Sequence, residues 1–178
     1  IGLIGGSILD LYSSGIALVT IGLPVKRHIA AAIDGAIMTA GTIYIVWIKK
    51  DFFGPFQGFL ITLGVPIAVW SAIFVADILM RKRDYDESAL FNRTGRYGSW
   101  NIRSLLILFI GSIVGWGFVT NTFASWLSWQ GYFMGAIGGK TGAWAFANVG
   151  IFFALAIGFI GHILLSKNQV RKQEDRNG

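Results

Sequence analysis

Cysteine is absent from this chain, which excludes a disulfide framework and any thiolate metal centre. Charge is scarce. Only 13% of the 178 residues are Asp, Glu, Lys or Arg, against about 25% in an ordinary soluble domain. Histidine occurs twice, at His28 and His162, with no second ligand spaced to share a metal. Proline occurs three times, so long helices are permitted almost everywhere. What the chain has instead is apolar surface: 54% hydrophobic residues and 24 glycines, a composition that suits lipid as the solvent.

The apolar residues fall in five stretches: Ile1 to Leu23, Ile29 to Ile48, Pro55 to Met80, Ile102 to Trp126 and Trp144 to Leu165. About 20 helical residues cross a hydrocarbon core about 30 Å thick. Helices also satisfy their own backbone, which an open strand in lipid does not. The pattern therefore predicts an all-α membrane protein, with five transmembrane helices over 1–165 and a frayed, charged tail over 166–178. Short turns are expected at Pro24 to His28 and Lys49 to Gly54, with longer polar loops at Arg81 to Arg103 and Ser128 to Gly142. The chain opens inside an apolar run at Ile1, and further helices are expected upstream of it.

All but three of the 15 Lys and Arg residues then lie on one side. That side receives Lys26, Arg27, the cluster from Arg81 to Arg103, and the tail from Lys167 to Arg176. The exceptions are Lys49, Lys50 and Lys140. The positive-inside rule places the basic side, and with it the C-terminus, in the cytoplasm of a multi-pass protein of the cell membrane. Topology thus accounts for the net charge of +6, and nucleic acid is not an expected partner.

Asp10 is the one charge in the first stretch. A carboxylate at mid-membrane depth is costly and usually faces a cavity, a substrate or a partner. Ser7 and Ser14 share a helical stripe with it and Ser13 lies beside it, so Ser7, Asp10, Ser13 and Ser14 are candidates for a substrate or cation site. The alternative is that Asp10 pairs with a basic residue or Asn of another helix. Asp34 is expected in a structural ion pair, and Asp77 in an i,i+4 pair with Arg81. Asn121, Thr122 and Asn148 are expected to make interhelical hydrogen bonds, and His162 to pack near the inner interface. Gly111 and Gly115 form a small-xxx-small motif for close helix packing. Pro66 permits a kink in the third span, either a gate hinge or a static bend. Gly138-Gly-Lys-Thr-Gly142 lacks the upstream glycine of a phosphate loop, where Met134 stands. The triplet Asn92-Arg-Thr94 falls on the expected cytoplasmic side, away from glycosylation. No nucleophile–base pair, paired carboxylates or metal cluster is evident, so an enzyme is not expected.

Two blocks carry a resemblance. One is Asp10-Leu-Tyr-Ser-Ser-Gly-Ile-Ala-Leu18. The other is Pro66, then Asp77-Ile-Leu-Met-Arg-Lys-Arg-Asp-Tyr-Asp86, Leu90-Phe91, Gly95-Arg-Tyr97 and Trp100-Asn101. With the span count and orientation, they make about the whole chain resemble the nucleobase:cation symporter-1 family of cytosine, purine, uracil, allantoin and hydantoin permeases. The resemblance implies helices 8–12 of a LeuT-like inverted-repeat transporter, whose broken first and sixth helices would lie upstream. It implies symport of a heterocyclic substrate with H+ or Na+ and no other cofactor, in a lipid bilayer and together with the N-terminal helices of the same protein. Asp10 falls where the family has a substrate-contacting Asn, and can accept hydrogen bonds from a base or take a proton as the coupling site. Only Ser7 offers a hydroxyl where sodium-binding members have them. Phe59, Leu60 and Leu63, with Pro66 beyond them, match the family's thin outer gate. Two other readings stand beside this one: a non-transporting scaffold or assembly subunit that presents Gly111 and Gly115, and a transporter of the same fold for another solute such as an amino acid.

Overall fold

The computed structural model describes residues 2–20, 26–49, 51–90, 92, 95–98 and 100–175, and the described residues contain helices and no strand. They form α1 (Gly2–Thr20), α2 (Arg27–Ile43) running into a π-helical stretch (Tyr44–Lys49), α3 (Phe53–Met80), the single turn α4 (Glu87–Leu90), α5 (Ile102–Gly117) and α6 (Val149–Asp175). Two short 3₁₀ turns, Ser125–Leu127 and Met134–Ile137, lie between α5 and α6. Among the described residues, three helical segments are long and apolar enough to cross a membrane: His28–Ile48, Phe53–Met80 and Val149–Asp175. The expected turn at Pro24 and Val25, and Thr94 of the Asn92 triplet, lie outside the described residues.

The chain divides into two compact units, Ile1–Phe53 and Gly54–Gly178. In the first, α1 and α2 pack on each other, with Leu11 lying over Gly35 and Ala30 fully buried. In the second, α3, α5 and α6 enclose a core of Val65, Val69, Ile73, Ile107 and Ala154. Glycines set how closely these helices approach. A Cβ on Gly111 would meet Val69 at 2.9 Å, and one on Gly158 would meet the Val69 carbonyl at 2.7 Å. The Gly111/Gly115 face of α5 is thus occupied inside the unit. Val65 fills the space at Gly115, where a Cβ would come within 2.4 Å of it.

Pro66 lies inside α3, which continues through it. Proline has no N–H to donate to the carbonyl four residues back, so the Thr62 carbonyl loses its helical partner. The Trp116 indole N–H of α5 supplies the missing bond at 2.8 Å. A buried amide network adds to this brace. Asn121 Nδ2 donates to the Gly58 carbonyl at 2.9 Å and to Gln130 Oε1 at 3.1 Å. Gln130 Nε2 in turn donates to Thr62 Oγ1 at 2.8 Å.

This network explains why the fourth apolar stretch is helical only to Gly117 and not to Trp126. The Trp116 and Gly117 carbonyls, which would have continued the helix, accept from the Gly131 and Phe133 N–H groups, each at 2.8 Å. Phe133 packs so tightly on Gly117 that a Cβ there would clash at 2.2 Å. Asn121 therefore sits in an irregular segment after α5, and Asn148 precedes α6 in a left-handed conformation, with φ 49°. Irregular backbone of this kind is tolerated at membrane depth when protein buries it and satisfies its polar groups.

The last helix also departs from expectation. It starts at Val149 and continues to Asp175, through most of the tail expected to fray. Side chains of its last turns explain the extension. Gln173 Oε1 accepts from Arg81 Nη2 at 2.9 Å, and Glu174 Oε1 accepts from the Lys82 N–H at 2.6 Å.

Trp116→Phe should lower unfolding stability by about 1–2 kcal/mol, because the partly buried Thr62 carbonyl loses its donor. In a Pro66→Ala background, where residue 66 regains its N–H, the same change should cost clearly less. A double-mutant cycle on unfolding in mild detergent measures the difference, and equal costs in both backgrounds would refute the brace.

Candidate functional site

Two carboxylates on apolar helices stand in opposite environments. Asp10 lies mid-way along α1 and is exposed, among the exposed side chains Ile8, Leu9 and Tyr12. It has no hydrogen-bond or ion-pair partner among the described residues. The helix places Ser7 and Ser14 on its face as the spacing predicts, with Ser7 and Ser13 exposed and Ser14 half-buried. On α3, Phe59, Leu60 and Leu63 are about half exposed and Pro66 is partly buried. The Asp10 set and the α3 set belong to different compact units.

Asp77, near the end of α3, is held from several directions. Arg81 Nε lies 2.6 Å from Oδ2, the i,i+4 pair that the spacing predicts. His162 Nε2 of α6 lies 3.0 Å from Oδ1, and the Tyr85 hydroxyl donates to Oδ2. The Arg81 guanidinium also lies over the Tyr85 ring at 4.4 Å and over the Tyr97 ring at 5.5 Å. Burial pushes the Tyr85 phenol above its usual range, so it stays protonated and remains a donor at neutral pH.

Next to this cluster is a cavity of about 310 Å³, lined by Trp70, Phe74, Tyr97, Ser104 and Gln173 among others. Its polar wall is held by the loop after α3. Arg96 pairs with Asp86 at 3.2 Å, and Asp86 Oδ1 accepts from Ser88 Oγ at 2.6 Å at the start of α4. Hydrogen bonds from Ser88 and the Ala89 N–H keep the Asp86 carboxyl below the usual carboxylate range.

His162 is the member that sequence reasoning missed. It is expected to pack near an interface. In the structure it is 1% exposed and joins Asp77 to Ser104, whose Oγ lies 3.4 Å from Nδ1. With Nε2 donating to Asp77, Nδ1 is left as the acceptor for the Ser104 hydroxyl. The order Ser104–His162–Asp77 resembles a nucleophile–base–acid line, but its geometry is that of a structural tie. The Ser104 contact is at the outer limit of a hydrogen bond. Asp77 is shared among His162, Arg81 and Tyr85, so it binds the imidazole as one of three partners and not as a dedicated orienting acid. No signal in the sequence pairs His162 with Asp77, since 85 positions separate them.

No group of three or more His, Cys, Asp and Glu suited to a metal ion occurs among the described residues. Comparisons with family models, with curated proteins and with solved structures give no match for this chain.

Asp77→Asn should destabilise the second unit by about 3–5 kcal/mol, because Arg81 loses its buried counter-charge. Chemical denaturation of the purified protein in detergent measures the loss. An unchanged unfolding midpoint would show that the carboxylate does not tie α3 to α6.

Proposed function

We propose that this chain is the C-terminal part of a secondary active transporter that takes up a nucleobase or related heterocycle together with H+ or Na+. The observation that carries the proposal is Asp10, a carboxylate near the middle of a 19-residue apolar helix with no partner among the described residues. A charge is retained at such a position when a translocated solute, an ion or a partner helix meets it. The resemblance to the nucleobase:cation symporter-1 family gives the first two of these precedence.

In this reading Asp10, Ser13 and Ser14 contact the substrate, and Asp10 with Ser7 couples the cation. The remaining part of the binding site comes from the broken helices upstream. Phe59, Leu60 and Leu63 form the outer gate on the open side of α3. The opposite side of α3 is braced by Trp116, Asn121 and Gln130. The gate therefore moves with the α3–α5 pair, and Pro66 serves as a static bend more than as a free hinge. The protein is a carrier without catalytic chemistry or resident cofactor, and it lies in the cell membrane with its C-terminus in the cytoplasm.

The reading as an assembly subunit has less support. The glycine face it would offer a partner is filled by Val65 and Val69 of the same unit.

Asp10→Ala in the complete protein should abolish uptake of radiolabelled cytosine, purines, uracil or allantoin, while membrane insertion and expression stay unchanged. Competition among those four solutes identifies the substrate. Wild-type uptake by the variant would remove Asp10 from the mechanism.

A further inference from the structure

A second polar cleft lies between the segment leading into α5 and the last turns of α6. Its volume is about 660 Å³, and Arg96, Trp100, Arg103, Asn168 and Lys172 line it, with Asp175 as its carboxylate. Its cations are incompletely used by the protein. Arg103 donates one Nη1 bond, to the Leu165 carbonyl at 3.1 Å, and is otherwise exposed. Lys172 is exposed, with no partner among the described residues. Arg96 is paired with Asp86 through Nη2. Exposed guanidinium and ammonium groups whose donors are mostly unused suit an anionic oxygen ligand.

The setting of the cleft points to a lipid and not to a soluble anion. A helix of 27 residues such as α6 is about 40 Å long at 1.5 Å per residue, against a hydrocarbon core of about 30 Å. Its last turns therefore reach the headgroup level. Trp100 is 76% exposed at the rim of the cleft, as interfacial tryptophans are. From that rim an unbroken exposed apolar strip runs along α5 through Ile102, Leu105, Leu106 and Phe109. A phosphate in the cleft would place attached acyl chains along this strip, and a free phosphate would leave the strip uncovered.

We propose that the cleft binds the phosphate of an anionic phospholipid, with Arg103 and Lys172 as its main cations and Trp100 as the rim anchor. Basic pockets of this kind between membrane helices hold anionic headgroups. The site is independent of whichever solute the protein carries.

Native mass spectrometry of the detergent-purified protein, titrated with phosphatidylglycerol or phosphatidylcholine of the same acyl chains, tests the proposal. Phosphatidylglycerol should bind at least about tenfold more tightly, the scale of one or two charge-assisted contacts. The Arg103→Gln/Lys172→Gln double variant should lose that preference. Inorganic phosphate at millimolar concentration should not displace the lipid. Lys172→Gln alone changes an exposed side chain with no partner among the described residues, so it folds irrespective of Arg103 and should still lower the preference measurably. Equal binding of the two lipids, a preference unchanged in Lys172→Gln, or full displacement by phosphate would each overturn the assignment. The last of these would give the cleft to a soluble anion.

Discussion

A polar group buried without a partner costs on the order of 1–3 kcal/mol, and in a lipid-facing bundle water is not there to supply one. That constraint shapes α3. Proline at position 66 strips the Thr62 carbonyl of its helical donor, and Asp77 brings a charge into an otherwise apolar helix. Each demand is met from outside the helix: the first by Trp116 of α5, the second by Arg81 and Tyr85 of the following loop and by His162 of α6. These polar contacts fix which face of α3 meets which neighbour. The apolar core of Val65, Val69, Ile107 and Ala154 is not directional and does not set that register by itself. The glycines at 111, 115 and 158 then allow the approach that the polar bonds require.

How much of this was legible in the sequence depends on the range of each interaction. Apolar runs of spanning length announce helices, and α2, α3 and α6 contain segments of that length. The i,i+4 spacing of Asp77 and Arg81 announces their pair. The end of α5 was not legible, because Phe118 to Leu127 carries no charge, no proline and no glycine to stop a helix. What stops the helix is a set of carbonyl acceptances from Gly131 and Phe133 and an amide network with Gln130, all formed by residues further along the chain. The length of α6 was hidden for the same reason. A charged sequence such as Lys167 to Asp175 reads as solvated tail until Gln173 and Glu174 find the loop after α3.

The site divides along the same line. Helical periodicity was enough to put Ser7, Asp10 and Ser14 on one stripe, since all are within two turns. Periodicity says nothing of what covers that stripe. The tie from Asp77 to His162 crosses 85 positions and left no local mark. A lone histidine in an apolar helix reads equally well as packing or as ligand until its partner is placed. The two carboxylates thus have opposite physical roles. Asp77 has three side-chain donors and little left to offer a passing ion, whereas Asp10 has none among the described residues and keeps its full capacity to accept.

The distribution of polar contacts in the second unit bears on how it would move as part of a transporter. Near Pro66 the contacts are neutral: an indole N–H, amides and a hydroxyl. Around Asp77 they are ionic and lie beside the basic loop and the last turns of α6. Neutral hydrogen bonds are individually modest in their net contribution, about 1 kcal/mol each, but the Thr62, Asn121 and Gln130 bonds share atoms and would have to break together for α3 to flex at its proline. The ionic cluster is the firmer of the two, because Asp77 and His162 are both buried and separating them strands a charge away from water. A rearrangement of α3 against its neighbours is therefore costly at both ends, and at the Asp77 end most of all. In the proposed transporter α3 would therefore move as one body with α5 and α6, and not as a flap hinged at the proline.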